Sequence, residues 1–120
     1  MPILEIEMIG APTDDMRHGL AQRIADAAGR VLGSDPQETW VRLRVLPADQ
    51  YAENGCDSEE FTSVFVSVLR RRNPEGDDLS REVVELTSAI ATACGRPKEI
   101  VHIRYEPPGA GRQAFGGRLI

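Results

Sequence analysis

Apolar and polar residues alternate in four short segments of the chain. These segments are Pro2 to Met8, TWVRLRVLP, Val64 to Leu69 and IVHIRYEP. A period of two predicts strands with one buried face. Pro2 stands at the first position of the first strand, where its missing N–H removes no ladder hydrogen bond.

Two longer segments repeat apolar residues every three or four positions, which predicts amphipathic helices. The first set is Met16, Leu20, Ile24, Ala27 and Val31, and the second is Leu79, Val83, Leu86, Ile90 and Ala93. Thr13 is placed to cap the first helix, and Asp77 and Asp78 offer a cap and a negative first turn for the second. Gly33 and Gly95 mark the two helix ends.

The order strand, helix, strand therefore occurs twice, in two units of about sixty residues each. The local parallels include IGAPTDD against RRNPEGDD. Two such units predict an α/β (α+β) two-layer sandwich, a four-stranded mixed sheet with both helices on one face. We expect one domain, with a first repeat over 2–47, a linker over 48–60 and a second repeat over 61–120. The polar stretch between the repeats is either that linker or a loop that crosses onto a neighbour.

Strand alternation assigns residues to the two faces of this sheet. Apolar side chains on the helix-covered face are predicted to be Leu4, Ile6, Met8, Val41, Leu43, Val45, Val64, Val66 and Val68. The opposite positions are Glu5, Glu7, Arg42, Arg44, His102 and Arg104. Because charges are costly in a monomer's core, we expect this bare face to meet other subunits or a ligand.

Composition and residue spacing exclude several classes of function. The chain has 120 residues and a net charge of −5, which argues against nonspecific nucleic-acid or anionic-membrane binding. No segment is typical of a membrane span or a secretory signal, so we expect a cytoplasmic protein. Cys56, Cys94, His18 and His102 lack metal-ligand spacing, and the glycine-rich PGAGRQAFGG lacks the Lys-Ser/Thr of a phosphate loop. We therefore expect neither a metal nor a cofactor.

The residue types favour proton-transfer chemistry. A free amine at Pro2 titrates at about 7.7–8.0 when unperturbed, and nearby guanidinium groups lower that pKa. Arg42, Arg44 and the run Arg70 to Arg72 would also bind a carboxylate and stabilise an enolate. A tuned base beside fixed cations can move a proton α to a carbonyl. Alternatively Pro2 simply begins a strand, the arginine run is a solvated edge, and Arg42 and Arg44 neutralise Glu5 and Glu7.

The Met-Pro-Ile start, the tandem strand–helix–strand units and the Val-Arg-Leu-Arg strand resemble the tautomerase superfamily, which includes 4-oxalocrotonate tautomerase and macrophage migration inhibitory factor. The resemblance covers nearly the whole chain. It implies a homotrimer whose sheets enclose a central barrel, removal of Met1, and Pro2 as general base in a cofactor-independent reaction.

The resemblance also implies roles for further residues. Arg42 matches the arginine that binds a substrate carboxylate, and Phe115 in QAFGG resembles the aromatic residue of a C-terminal hairpin at the pocket. Arg70, Arg71 and Arg72 lie where relatives place substrate-binding arginines, with Arg71 the first choice. His102 holds in the second repeat the place of Arg42 in the first, and Tyr105 is a further candidate to line the pocket.

Two departures affect the substrate. Ala11 and Pro12 stand where single-unit tautomerases carry an arginine, and Thr39, beside Glu38, stands where decarboxylase relatives place an acid. The leading hypothesis is keto–enol tautomerisation of a 2-oxo or 2-hydroxydienoate acid, a small-molecule carboxylate. The alternatives are a decarboxylase or a dehalogenase/hydratase of a three-carbon acid, and a non-catalytic trimeric binding module.

Overall fold

A computed structural model of the protein describes residues 2–56 and 60–120. Its main sheet contains β1 (Ile3–Ile9), β2 (Trp40–Leu46), β3 (Val64–Leu69) and β4 (Val101–Tyr105). They lie in the order β2-β1-β3-β4. Within each repeat the two strands are parallel, and the repeats meet through the antiparallel pair β1 and β3. The predicted four-stranded mixed sheet is confirmed.

The helices are α1 (Asp14–Arg17), α2 (Leu20–Leu32) and α3 (Gly76–Cys94). Thr13 caps α1 as predicted, because its hydroxyl accepts the Met16 N–H at 3.3 Å. The prediction of one continuous first helix was wrong. Gly19 takes a left-handed φ of 67° between α1 and α2, and the Arg23 guanidinium donates to the carbonyls of Met16 and His18 at this break.

The start of α3 also corrects the sequence prediction. Glu75, an extended residue after Pro74, is the N-cap, so the prediction of a cap at Asp77 or Asp78 was wrong, whereas their predicted place in the first turn is confirmed. In the first turn their carboxylates still interact favourably with the positive end of the helix dipole. Gly33 and Gly95 end α2 and α3 in the left-handed conformation, as expected.

The core lies between the sheet and the two long helices. Its fully buried side chains include Leu4, Ile6, Met8, Val64, Val68, Leu20, Ile24, Leu86 and Ile90. Burial of each such side chain contributes about 1.5–3 kcal/mol. Val45 departs from the predicted face pattern, with 43% of its surface exposed. It lies near the end of β2, an edge strand that no further strand covers.

Arg96, which follows α3, joins the helical layer to the end of the sheet where β1 ends and β3 begins. Its guanidinium donates to the carbonyls of Ile9 and Thr62 through Nη1 and to that of Gly10 through Nη2, each at 2.9 Å. Burial lowers the pKa of this guanidinium. One side chain thereby satisfies three carbonyls where β1 ends and β3 approaches its start.

The segment between the repeats packs in part against the sheet. A short 3-10 turn spans Ala48–Gln50, and the Tyr51 ring lies 5.2 Å from Phe61 and 5.8 Å from Phe65. Residues 57–59 of the predicted linker lie outside the described residues, as does Met1. The division into repeats and linker stays a prediction.

A small hairpin completes the chain, formed by β5 (Ala114–Phe115) and β6 (Arg118–Leu119). Among the described helices, none is both long enough and apolar enough to cross a membrane.

Candidate active site

Pro2 is buried at one end of the sheet, directly before β1. Its carbonyl accepts the Trp40 backbone N–H at 3.0 Å, which extends the β1–β2 pairing by one bond. On the other side of β1, Ile3 pairs with Leu69, so Arg70 follows β3 just where Pro2 precedes β1. The structure therefore places Pro2 between the start of β2 and the end of β3.

An aromatic pair covers this end of the sheet. The Trp40 and Phe115 rings meet edge to face with centroids 5.2 Å apart and planes at 83°. They line a cavity of about 230 Å³ together with Ile3, Gln37 and Glu38. The cavity thus combines apolar walls with one amide and one carboxylate side chain, a common composition for a small-molecule site.

Backbone hydrogen bonds carry the C-terminal hairpin to this position. Gly109 N–H donates to the Arg70 carbonyl at 2.8 Å, and Ala110 N–H donates to the Arg71 carbonyl at 3.1 Å. These bonds hold the chain after β4 against the end of β3, and the hairpin then reaches across to Trp40. Phe115 thereby lines the cavity beside Ile3, and its role in a substrate pocket stays a prediction.

The turn before β2 is strained. Gln37 has a φ of 71°, the one positive value among the described residues other than glycine. It follows Pro36 in a turn closed by the Glu38 N–H donating to the Asp35 carbonyl at 3.1 Å. The Trp40 indole donates to the Gln37 carbonyl at 2.8 Å, so the strained turn also orients the aromatic cover. Strain of this kind is found preferentially at functional sites.

The three consecutive arginines have different surroundings. Arg70 is 22% exposed and forms an ion pair with Glu82 of α3, which is 13% exposed. Arg71 and Arg72 are exposed and make no ion pair with any described residue. Of this run, Arg71 and Arg72 are thus available to a ligand, whereas Arg70 is engaged.

Tyr105 shares the partner of Arg70. Its hydroxyl donates to Glu82 Oε2 at 2.5 Å. Burial and this hydrogen bond raise the pKa of Tyr105 above its ordinary value. Tyr105 therefore lies at the Pro2 end of the sheet but belongs to a polar cluster on the helix-covered face.

Within one chain, the structure does not bring Arg42 or His102 to Pro2. Arg42 lies opposite Glu5 and pairs with it at 2.7 Å on the bare sheet face, where the two side chains are 72% and 48% exposed. His102 lies further along the same face, with its ring 5.4 Å from that of Phe65. The contact of Arg42 with Glu5 is the neutralising pair that the strand pattern left open.

Sequence reasoning missed four residues at this end of the sheet. Trp40, Gln37 and Glu82 are described above, and Arg112 lines a second cavity of about 220 Å³ that includes Leu69, Glu106 and Gln113. The parity of β2 was the available signal for Trp40, since it places that side chain on the face of Ile3. The described residues contain no group of three or more His, Cys, Asp or Glu side chains placed to hold a metal ion.

No family model matches the chain, and no curated protein matches it at the sequence level. Solved structures do match. A fused 4-OT wild-type symmetric trimer aligns with a TM-score of 0.78 at 14% identity, over 98% of this chain and 94% of that one. The macrophage migration inhibitory factor of Toxoplasma gondii aligns with a TM-score of 0.73 at 18% identity, over 98% and 99%.

FG41 malonate semialdehyde decarboxylase inhibited by 3-bromopropiolate aligns with a TM-score of 0.72 at 16% identity, over 95% of this chain and 88% of that one. At these identities the likeness establishes architecture. It extends over nearly the whole chain in all three comparisons.

Proposed function

Because the chain has the fold of the tautomerase superfamily, we propose that it is a cofactor-independent tautomerase with Pro2 as general base. Its substrate is a small 2-oxo or 2-hydroxydienoate acid. The observation that carries the proposal is the placement of Pro2. It is buried directly before β1, where the arginine run follows β3 and the next residue, Ile3, lines the aromatic cavity.

The proposed reaction needs a secondary amine at Pro2, which exists once Met1 is removed. The amine takes the proton of the enol hydroxyl, and the resulting ammonium delivers that proton to the substrate carbon, or the reverse, so that the amine is regenerated in each turnover. Cations near the developing enolate oxygen lower the barrier. Arg71 is our first choice for the substrate carboxylate because it is exposed and has no ion-pair partner among the described residues. Arg72 and Arg112 are the other candidates at this end.

We propose that Arg42 reaches the Pro2 of another subunit in a homotrimer. Within its own chain it lies level with Glu5, three residues along β1 from Pro2, which is about 10 Å at the rise of a strand. The bare sheet face that carries Arg42 is the surface expected to meet other subunits. Support for three subunits comes from the fused 4-OT relatives, which are described as trimers.

The test combines mass spectrometry with kinetics. Protein whose intact mass confirms loss of Met1 is assayed for ketonisation of phenylenolpyruvate and 2-hydroxymuconate. Pro2→Ala is expected to lower kcat/KM by at least about 100-fold, since a positioned base contributes that much. Pro97→Ala, on the turn before β4, serves as a matched control and should retain activity. Full activity in the Pro2→Ala protein would contradict the proposal.

Labelling provides a second measurement. 3-Bromopropiolate, the inhibitor of the decarboxylase relative, should add one adduct to the N-terminal peptide and none to Pro2→Ala. Inertness toward every enolisable acid tested, together with an unlabelled terminus, would favour the non-catalytic binding module instead.

Glu38 supports a second candidate function. Glu38 lines the aromatic cavity beside Ile3, and its carboxylate, which accepts the Asp35 N–H at 3.4 Å, is of a type that can activate water. Decarboxylation or hydrolytic dehalogenation of a three-carbon acid would use such a group. Glu38→Gln is then expected to abolish release of carbon dioxide or halide while leaving ketonisation intact. If Glu38→Gln has no effect on either reaction, this second function is excluded.

A further inference from the structure

The cluster of Arg70, Glu82 and Tyr105 lies on the helix-covered side of the Pro2 end of the sheet. Ile3 and Leu69 form the last pair between β1 and β3, and one residue further stand Pro2 and Arg70. Side chains alternate along strands, so both have the parity of Leu4 and Val68, whose side chains face the helices. Arg70 confirms this direction by reaching Glu82 on α3.

The charge of Arg70 is balanced where it stands. Glu82 is only 13% exposed, and it accepts from both Arg70 Nη1 and the Tyr105 hydroxyl. A half-buried pair of this kind is poorly screened by solvent, so each charge acts strongly on its surroundings and their sum is nearly zero. If either Arg70 or Glu82 is removed, the charge of the remaining residue is no longer offset and acts on nearby groups.

We propose that Glu82 is a positioning residue that sets the proton affinity of the Pro2 amine by holding and neutralising Arg70. The inference rests on the proposed role of Pro2. With Glu82 present, Arg70 is held on α3 and its repulsion of the Pro2 ammonium is offset. The base strength of Pro2 is therefore set by an acidic residue on α3, outside the cavity that would receive substrate.

Other charged groups surround this end of the sheet, and they are the same in the wild type and in variants at Arg70 and Glu82. Among the described residues they include Arg71 and Arg72 after β3, Glu38 in the turn before β2, Glu106 and Arg112 after β4, and Asp78, Arg81 and Glu85 within one turn of Glu82 on α3. Glu106 pairs with Arg104 at 3.2 Å. The test must therefore compare variants that differ only at Arg70 and Glu82.

The experiment is a pH titration of the Pro2 nitrogen by NMR in protein labelled with [15N]proline. Met1 is first removed with methionine aminopeptidase and its loss confirmed by intact mass, so that the amine is present in every sample. Glu82→Gln should raise the ratio of free amine to ammonium at neutral pH by about threefold or more, because Arg70 is left unbalanced. Arg70→Met should lower that ratio by a similar factor, because Glu82 is left unbalanced.

Two controls separate this electrostatic role from a structural one. Tyr105→Phe removes a hydrogen bond but no charge and should leave the titration midpoint close to wild type. The double variant Arg70→Met with Glu82→Gln should also return toward wild type, and it avoids an unpaired buried charge that could impair folding. Midpoints that do not move, or that move in the same direction in both single variants, would overturn the inference.

The outcome is distinguishable from that of the proposed function. Opposite midpoint shifts together with full ketonisation activity in Pro2→Ala would leave this inference standing and reject Pro2 as catalyst. Loss of activity in Pro2→Ala with unmoved midpoints would do the reverse.

Discussion

Trp40 and Phe115 pack edge to face across the end of the sheet, with ring centroids 5.2 Å apart. One ring comes from the edge strand β2 and the other from the C-terminal hairpin, so this contact fastens the hairpin over the cavity beside Ile3. Such aromatic pairs contribute about 0.5–1.5 kcal/mol beyond their buried area.

We therefore expect Trp40→Leu and Phe115→Leu to be coupled. In a double-mutant cycle of unfolding free energies measured in urea, their interaction energy should reach about 0.5–1.5 kcal/mol. Leu119→Ala, on the exposed side of the same hairpin, is the control and should show no coupling to Trp40→Leu. Strict additivity of the two aromatic substitutions would contradict this prediction.

The strand parity in the sequence predicted most of the core, but it could not predict this pair. Leu4, Ile6 and Met8 are buried as expected because one helix-covered face suffices to place them. The partner of Phe115 depends on where a hairpin after β4 folds back, and no local pattern encodes that return. Glu82 was missed for a similar reason, since its polar partners lie just after β3 and on β4 while its own helix pattern marks it only as non-core.

Local backbone chemistry explains the other differences. The apolar spacing over Met16 to Val31 is continuous, yet Gly19 breaks the helix because a left-handed residue can turn the chain there. The spacing reports which side chains face the core. It does not report whether the backbone between them stays helical.

Relief of strain at Gln37 should stabilise the protein. Its φ of 71° favours glycine, so Gln37→Gly is expected to raise the free energy of unfolding by about 0.5–1 kcal/mol. The same change at Gln22, inside α2, should lower it by about 1 kcal/mol. Urea unfolding of both variants checks the contrast. Destabilisation by Gln37→Gly would mean that side-chain contacts of Gln37 outweigh its backbone strain.

Arg96 should be the arginine whose loss costs most stability. Arg96→Met leaves the carbonyls of Ile9, Gly10 and Thr62 without their charged donor, and we expect a loss of about 2–4 kcal/mol. Arg81→Met, which breaks an exposed pair with Asp78, should change stability by less than about 0.5 kcal/mol. Equal effects of the two substitutions in urea unfolding would show that the three hydrogen bonds of Arg96 do not stabilise the fold.

The free energy of unfolding should fall at alkaline pH because the Tyr105 phenol ionises more easily in the unfolded chain. Burial and the hydrogen bond to Glu82 raise its pKa in the folded protein above the ordinary 10.0. Folding therefore favours the neutral phenol, and this stabilisation is full below pH 10.0 and is lost as the pH rises through the folded pKa. Unfolding free energies measured between about pH 8 and about pH 11 should decline less steeply in Tyr105→Phe than in wild type.

Tyr51 is the matched control for that titration. Tyr51 is only partly exposed, and its hydrogen bond to Glu53 also raises its pKa, but burial and Glu82 raise the pKa of Tyr105 further. Tyr51→Phe should therefore change the slope less than Tyr105→Phe does. Ionisation of Cys94, whose pKa burial also raises, is common to all three proteins and cancels in the comparison. Parallel pH profiles for wild type and Tyr105→Phe would show that the buried phenol does not couple to folding.

Subunit mixing tests where Arg42 acts. Since Arg42 pairs with Glu5 on the bare sheet face of its own chain, we expect it to serve the Pro2 of a neighbouring subunit. Pro2→Ala and Arg42→Met are each expected to be inactive alone. Unfolded together and refolded as mixed trimers, they should recover about a quarter of wild-type activity, because about that fraction of sites combines an intact Pro2 with an intact neighbouring Arg42.

Mixtures of Pro2→Ala with Arg71→Met provide the comparison. Arg71 follows β3 at the Pro2 end of its own chain, so these mixtures should recover no activity. If the Arg42 mixture also stays inactive while both chains assemble, Arg42 does not act across a subunit boundary, and its contact with Glu5 is structural.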